Sequence, residues 1–304
     1  MQLTFAMSPI LRHVSIFLCG IGLLHGTANA QAMSAGEAWL RIQHRYAPTP
    51  PPDTVDTLKA GDPSTPVKGI ATTFLDTMDV LREAVRRGDN LIISHEPTFY
   101  NHRDDTTAFI NDPVYKEKHA YIEQHHLVVY RLHDEIHADR AGDHILAGTY
   151  KALGWENYPH PSGPFGQYFV TIPQTTLGQL ASALELKLHI RTLRVEGDPN
   201  LALSHVALLP GSSGLSRQVL ALNQPQVELL IAGEASEWET VEYVRDAVAQ
   251  GRPKALILLG HEVSEEPGME QCAQELRTLF PGMQVDHILA GQPLWNPEHP
   301  PTGK

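Results

Sequence analysis

Apolar residues in this chain fall into short buried-looking runs separated by helical periodicities, and the alternation begins after a proline-rich connector. Ser34 to Tyr46 reads as a helix, and Ala47-Pro-Thr-Pro-Pro-Pro-Asp53 cannot continue it. Val67 to Phe74 then reads as a strand. Thr77 to Arg87 carries Met78, Leu81 and Val85 at helical spacing, with Gly88 placed to end the helix. Asn90 to Ser94 is a second apolar run, Asp112 to His125 a helix, and Leu127 to Leu132 a third strand. Pro and Gly accumulate from Tyr158 to Gly166, where the pattern predicts a loop or boundary, and Thr175 to Leu188 predicts a helix. A second block follows: strands at Ser204 to Leu209, Val227 to Ala232 and Ala255 to Leu259, and helices at Glu239 to Gln250 and Met269 to Phe280. Met269, Cys272, Leu276 and Phe280 share one face of the last of these.

Strands alternating with helices predict an α/β protein with largely parallel sheets. The two blocks resemble one another. Each has a Gly-Asp-Pro turn (Gly61-Asp62-Pro63, Gly197-Asp198-Pro199) before a strand, and Leu91-Ile-Ile-Ser-His-Glu96 aligns with Leu229-Leu-Ile-Ala-Gly-Glu234. The expected organisation is a leader over 1–30, an N-terminal α/β half over 31–157, a connecting segment over 158–202 and a C-terminal α/β half over 203–304.

The leader expectation rests on Arg12 and His13, an apolar stretch from Val14 to Leu24, and the small-x-small sequence Ala28-Asn29-Ala30. That stretch is shorter than the roughly 20 residues a membrane span needs. Removal of the leader predicts a periplasmic or secreted protein that does not remain in the membrane. Of two cysteines only Cys272 then survives, so no disulfide forms within the mature chain. A net charge of −12 argues against nucleic-acid and anionic-membrane surfaces, which call for a basic face.

Seventeen histidines change the picture, because imidazole is both a metal ligand and an acid or base near neutrality. Three histidine clusters follow predicted strands: His95-Glu96, His133 with His137, and His261 with Glu265. Parallel sheets bind ligands beyond the carboxyl ends of their strands, and a spacing of four puts both residues on one side of a helical turn. A lone His-x-x-x-Glu is usually a surface pair, and Glu265 alone would serve as an acidic first-turn residue. Three such clusters at equivalent places predict one metal site assembled from distant parts of the chain.

Taken together, Gly61-Asp-Pro-Ser-Thr-Pro-Val-Lys-Gly-Ile70, Leu91-Ile-Ile-Ser-His-Glu-Pro97, Val129-Tyr-Arg-Leu-His133 and Gly260-His-Glu-Val-Ser-Glu-Glu-Pro-Gly-Met269 resemble the NIF-three-like dinuclear metal proteins, often described as type 2 GTP cyclohydrolases. Pro210-Gly-Ser-Ser-Gly214 and Ile231-Ala-Gly-Glu234 fit the same pattern. The resemblance implies two similar α/β halves, two divalent ions between them, and a ring-shaped homohexamer. Carried over, the family's ligands fall on His95, Glu96, His137, His261 and Glu265. Two positions depart from the pattern, since Glu96 replaces an imidazole and His137 a carboxylate, so three histidines and two carboxylates are kept. Asp134 or Asp139 takes the middle position if His137 turns away, with Glu262 a weaker candidate. Glu265 is the expected bridging carboxylate, and His133, one turn from His137, the expected proton-transfer group. Mixed nitrogen and oxygen donors suit zinc, manganese or iron. The expectation is an exported metal-dependent hydrolase acting on a small molecule, of cyclohydrolase or phosphoesterase type. The alternative is a non-catalytic metal-binding or metal-handling oligomer. The Gly211 to Gly214 turn is expected to permit a tight bend before it binds any anion.

Overall fold

The computed structural model describes residues 1–2, 32–139, 141–162 and 165–297. The expected leader lies, from residue 3 on, outside the described residues. Among the described residues no helix is long and apolar enough to cross a membrane.

In chain order the first elements are α1 (Ala35–Tyr46), β1 (Leu58–Ala60), β2 (Gly69–Thr73), α2 (Met78–Arg87), β3 (Leu91–Ser94), α3 (Pro113–Gln124), β4 (Val128–Arg131), α4 (Asp134–His137) and α5 (His144–Leu153). There follow β5 (Phe169–Thr176), α6 (Leu177–Lys187), β6 (Arg194–Glu196), β7 (Ala202–Leu209), α7 (Leu215–Leu222), β8 (Leu229–Ala232), α8 (Glu242–Ala249), β9 (Ala255–Leu258), α9 (His261–Leu279) and β10 (Gln284–His287). The capping residues explain several boundaries. Ser34 and Glu37 form a capping box at α1, Thr77 and Asp112 accept backbone N–H groups at α2 and α3, and Gly88 ends α2 in the left-handed region.

Two five-stranded sheets result, in the orders β1-β4-β3-β2-β10 and β5-β7-β8-β9-β6. In the first, β4, β3, β2 and β10 are parallel and β1 is antiparallel. In the second, β7, β8 and β9 are parallel while β5 and β6 run antiparallel at the edges. The two similar α/β halves expected from the pattern are therefore present, and β2-β3-β4 corresponds to β7-β8-β9. Chain and sheet boundaries do not coincide, because β10 returns from the C-terminal block to pair with β2, and β5, from the segment between the blocks, pairs with β7.

The central strands are buried along their whole length, as expected for parallel strands covered on both faces. Helices α2 and α3 cover one face of the first sheet, and residues of α7 and α8 pack on one face of the second. The inner faces share α5 and α9. Ile145 of α5 and Met269, Cys272 and Leu276 of α9 belong to the core of the first sheet, whereas Leu146, Tyr150 and Leu153 of α5 and Val263 of α9 belong to that of the second.

One difference from the sequence pattern matters for the site. The periodicity predicts a helix starting near Met269, but α9 starts at His261 and runs through Pro267. Proline inside a helix removes one backbone hydrogen bond and crowds the preceding turn, so contacts with α5 must offset the cost. Gly148 and Gly268 meet at the crossing, where a Cβ on Gly148 would stand 2.6 Å from the Gly268 backbone. Thr149 Oγ1 donates to the Ser264 carbonyl at 2.6 Å. Gly148→Ala is expected to destabilise the protein by about 1–3 kcal/mol through overpacking, read as a lower urea midpoint with an unchanged m-value.

Candidate metal centre

Four of the parallel strands, β3, β4, β7 and β9, end beside a common cavity of 680 Å³, lined among others by Glu96, His133, His137, Pro210, His261 and Glu265. His95 follows β3 and is fully buried. Its Nδ1 lies 2.9 Å from the Leu132 carbonyl oxygen. A carbonyl only accepts, so Nδ1 carries a proton and Nε2 is the nitrogen turned toward Glu265. That Nε2 is buried with no hydrogen-bond partner, 3.3 Å from Glu265 Oε2.

Glu265 lies one turn into α9. Its Oε2 stands 3.0 Å from His261 Nε2, so one carboxylate oxygen sits between imidazoles from the two halves. Burial raises the pKa of such a group, but the adjoining His95 and His261 rings outweigh it and hold Glu265 well below the usual carboxylate range. Glu96 projects from the other side. Its Oε1 is 3.4 Å from His261 Nε2 and 3.6 Å from His133 Nε2, and its Oε2 is 3.2 Å from the buried Arg131 guanidinium. Burial again works upward, and His261 with the neighbouring imidazoles brings Glu96 down to about 2. His261 also faces Glu234 Oε2 at 3.6 Å through Nδ1. Burial disfavours its cation, yet Glu234, Glu265 and Glu96 push it up to about 12. Three carboxylates converging on one imidazole form a site that calls for positive charge.

The short helix α4 brings in His133 and His137. His133 Nδ1 is 2.9 Å from Asp134 Oδ1, and His137 Nδ1 is 3.0 Å from Asp143 Oδ2. Burial, joined by repulsion from His95 and His137, lowers His133 to about 4 and keeps it neutral at pH 7. Burial opposes the cation at His137 too, but the Asp143 carboxylate raises its value overall. The ring of His95 lies 4.8 Å from that of His133 and 5.1 Å from that of His137. Among the described residues two groups of donor atoms are close enough to hold an ion: His95, His133 and His137 form one, and His95, Glu96 and Glu265 the other.

Asp134 and Asp139 are engaged elsewhere. Asp134 also accepts from Thr54 Oγ1 and the Val55 N–H, and Asp139 pairs with Arg45 and His144. Glu262 lines a different cavity, on the far side of His261. Gly211 has a positive φ of 64°, and a Cβ there would collide with the Glu265 carboxylate, so the turn after β7 closes directly over that carboxylate. Ser264 Oγ holds the turn in place by accepting from the Gly211 N–H at 2.9 Å and donating to the His261 carbonyl at 2.7 Å.

Sequence reasoning missed Asp56, Asp143 and Ser264. Asp56 accepts from the backbone N–H groups of His133, Asp134 and Glu135 at 2.7, 3.2 and 2.8 Å, capping α4 from 77 residues upstream of His133. No local signal marks it. Asp143 had one, because it N-caps α5 through Leu146 N–H while its second oxygen takes His137. Asp56→Ala is expected to cost about 1–2 kcal/mol, as for loss of a helix cap, and the His133 ring resonances should shift in histidine-selective NMR spectra.

Comparison with known proteins gives the family and the fold. Residues 54–292 match the model of the Duf34/NIF3 (NGG1p interacting factor 3) family. The "GTP cyclohydrolase 1 type 2 homolog" of Clostridium acetobutylicum is 25% identical over 237 residues, covering 75% of this chain and 84% of that protein. Its namesake from Chlamydia pneumoniae is also 25% identical, over 74% of this chain and 85% of its own. Among solved structures, a hypothetical protein of Staphylococcus aureus superposes with a TM-score of 0.68 at 20% identity, covering 87% of this chain and 99% of its own. A Bacillus cereus protein related to NIF3 gives 0.67 at 15% identity, covering 87% and 98%. The chain belongs to the Duf34/NIF3 family.

Proposed function

We propose that this protein is an exported hydrolase that works with two divalent ions held by His95, Glu96, His137, His261 and Glu265. The observation that carries the reading is Glu265 Oε2, placed between the Nε2 atoms of His95 and His261. The donor set fits a metal on this chain's own geometry. A buried Nε2 lacks a partner, and the Nδ1 atoms of His95, His133 and His137 are each tied to an oxygen, which aims Nε2 toward the site. Zinc, manganese and iron all suit such donors. When bound, paired divalent ions supply Lewis acidity and a more acidic water at neutral pH.

The residues around the donors do the remaining work. Glu265 would help to hold the ions from between the two imidazoles, Glu96 is steadied by Arg131, and Asp143 orients His137. His133, neutral with its Nδ1 proton directed at Asp134, offers Nε2 as a proton acceptor. Arg217, Ser212 and Ser213 line the same cavity and give it polar groups for a small-molecule substrate. The substrate class is a hydrolysable ring or ester; the cyclohydrolase name belongs to the relatives. Location outside the cytoplasm rests on the residue pattern of Arg12 to Ala30, and the ring-shaped homohexamer on family resemblance.

Metal analysis of the purified mature protein after supplementation should give two divalent ions per chain; persistently sub-stoichiometric metal would overturn the reading. Asp143→Asn should weaken metal affinity about 10–100-fold. His133→Gln should retain metal while lowering kcat on a responsive ester or cyclic amide about 10²–10⁴-fold. His261→Ala should lose both metal and turnover. Stoichiometric metal with no turnover across the panel would favour a metal-holding assembly.

A further inference from the structure

Glu96, Pro97 and His261 are walls of two cavities rather than one. Opposite the polar cavity lies a second, of 560 Å³, within the range of about 300–1,000 Å³ usual for small-molecule sites. Its walls are largely hydrocarbon: Phe74 and Met78 from the turn into α2, Tyr100 beyond β3, Val263 on α9, and Leu294 from the tail after β10. The Phe74 ring centre lies 5.3 Å from that of His261. The tail is fastened across the cavity, since Gln292 accepts from the Arg191 N–H at 2.8 Å and donates to the His189 carbonyl at 2.9 Å.

Charge in this cavity selects against anions. Glu96, Glu234 and Glu262 all contribute to its lining. The ammonium in its wall, Lys118, is buried and committed: Nζ donates to the Thr98 carbonyl at 2.7 Å and lies 3.5 Å from Asp76. A polyphosphate placed here would meet the carboxyl groups of Glu96, Glu234 and Glu262 and, among the described lining residues, no cation that is not already paired. An uncharged ring would exchange water for Phe74, Met78 and Tyr100, the transfer that drives apolar burial.

We propose that this second cavity is the subsite for an uncharged aromatic body of the substrate, with the bond to be cut beside Glu96 and His261. In calling that body part of a substrate the inference rests on the hydrolase reading; the binding of the ring does not.

The probe is N-phenyl-1-naphthylamine, a neutral dye that brightens in apolar surroundings, titrated into the mature full-length protein. Saturable binding to one site is expected, equal in metal-loaded and chelator-treated protein. Met78→Trp, which fills the cavity from a half-buried position, should weaken it about tenfold or more. Leu294→Asp, on the exposed side of the tail, should also weaken it, and Arg217→Ala in the other cavity should leave it unchanged. GTP should not displace the dye. No saturable signal, affinity indifferent to both wall substitutions, or competitive displacement by GTP would each overturn the subsite. Dye binding that follows this pattern in a protein without hydrolytic activity would sustain the subsite while the hydrolase reading fails.

Discussion

The approach of α5 to α9 at Gly148 and Gly268 governs the site, because α9 serves both sheets. Its first turn follows β9 of the second sheet and carries His261 and Glu265, while its later turns bury Met269, Cys272 and Leu276 in the core of the first. Any side chain at the crossing would force the helices apart. Glu265 would then leave His95, which belongs to the other sheet. Interiors are close-packed and transmit such displacements, so two positions without a Cβ on the helix surfaces fix a distance several residues away. Ser264 extends the same constraint to the turn after β7, and Gly211 lets that turn lie against the carboxylate.

The two halves contribute to the cavity in a repeated but unequal way. After the middle strand of each triplet comes a residue pair, His95-Glu96 or Gly233-Glu234; near the end of the third comes a four-spaced pair, His133 with His137 or His261 with Glu265. Glu96 and Glu234 accordingly approach His261 from its two ring nitrogens. Where the first half presents His95, the second has Gly233, whose missing side chain makes room for Ser264 and the Gly211 backbone. The second half has given up a donor and gained a tight packing contact that holds the remaining ones.

This distribution explains what the chain revealed in advance. The strand-end histidines were legible because short, wholly apolar runs marked the central strands, and parallel sheets place their ligands at the ends of such strands. The start of α9 was not legible, since Pro267 and Gly268 argue locally against a helix and only the α5 crossing overrides them. The edges β1, β5, β6 and β10 were missed because they are short or partly exposed and draw their pairing from distant chain. Asp56 escaped for the same reason: its three hydrogen bonds are made to a segment 77 residues away. Local pattern identifies the strand-end histidines and carboxylates, whereas the groups that orient them depend on tertiary contacts.

The two departures from the family's ligand pattern can be understood through those aiming groups. At Glu96 a carboxylate stands where resemblance implies an imidazole, and the fully buried Arg131 guanidinium lies 3.2 Å behind it. An anion backed by a cation presents the site with a charge close to that of a neutral ring. At His137 an imidazole stands where a carboxylate is implied, and Asp143 holds its Nδ1 at 3.0 Å, so the negative charge is set back by one ring rather than lost. Each exchange therefore has a neighbour of the sign needed to restore the local charge. What these two positions share is electrostatic: either residue type presents the same local charge when its neighbour is matched to it.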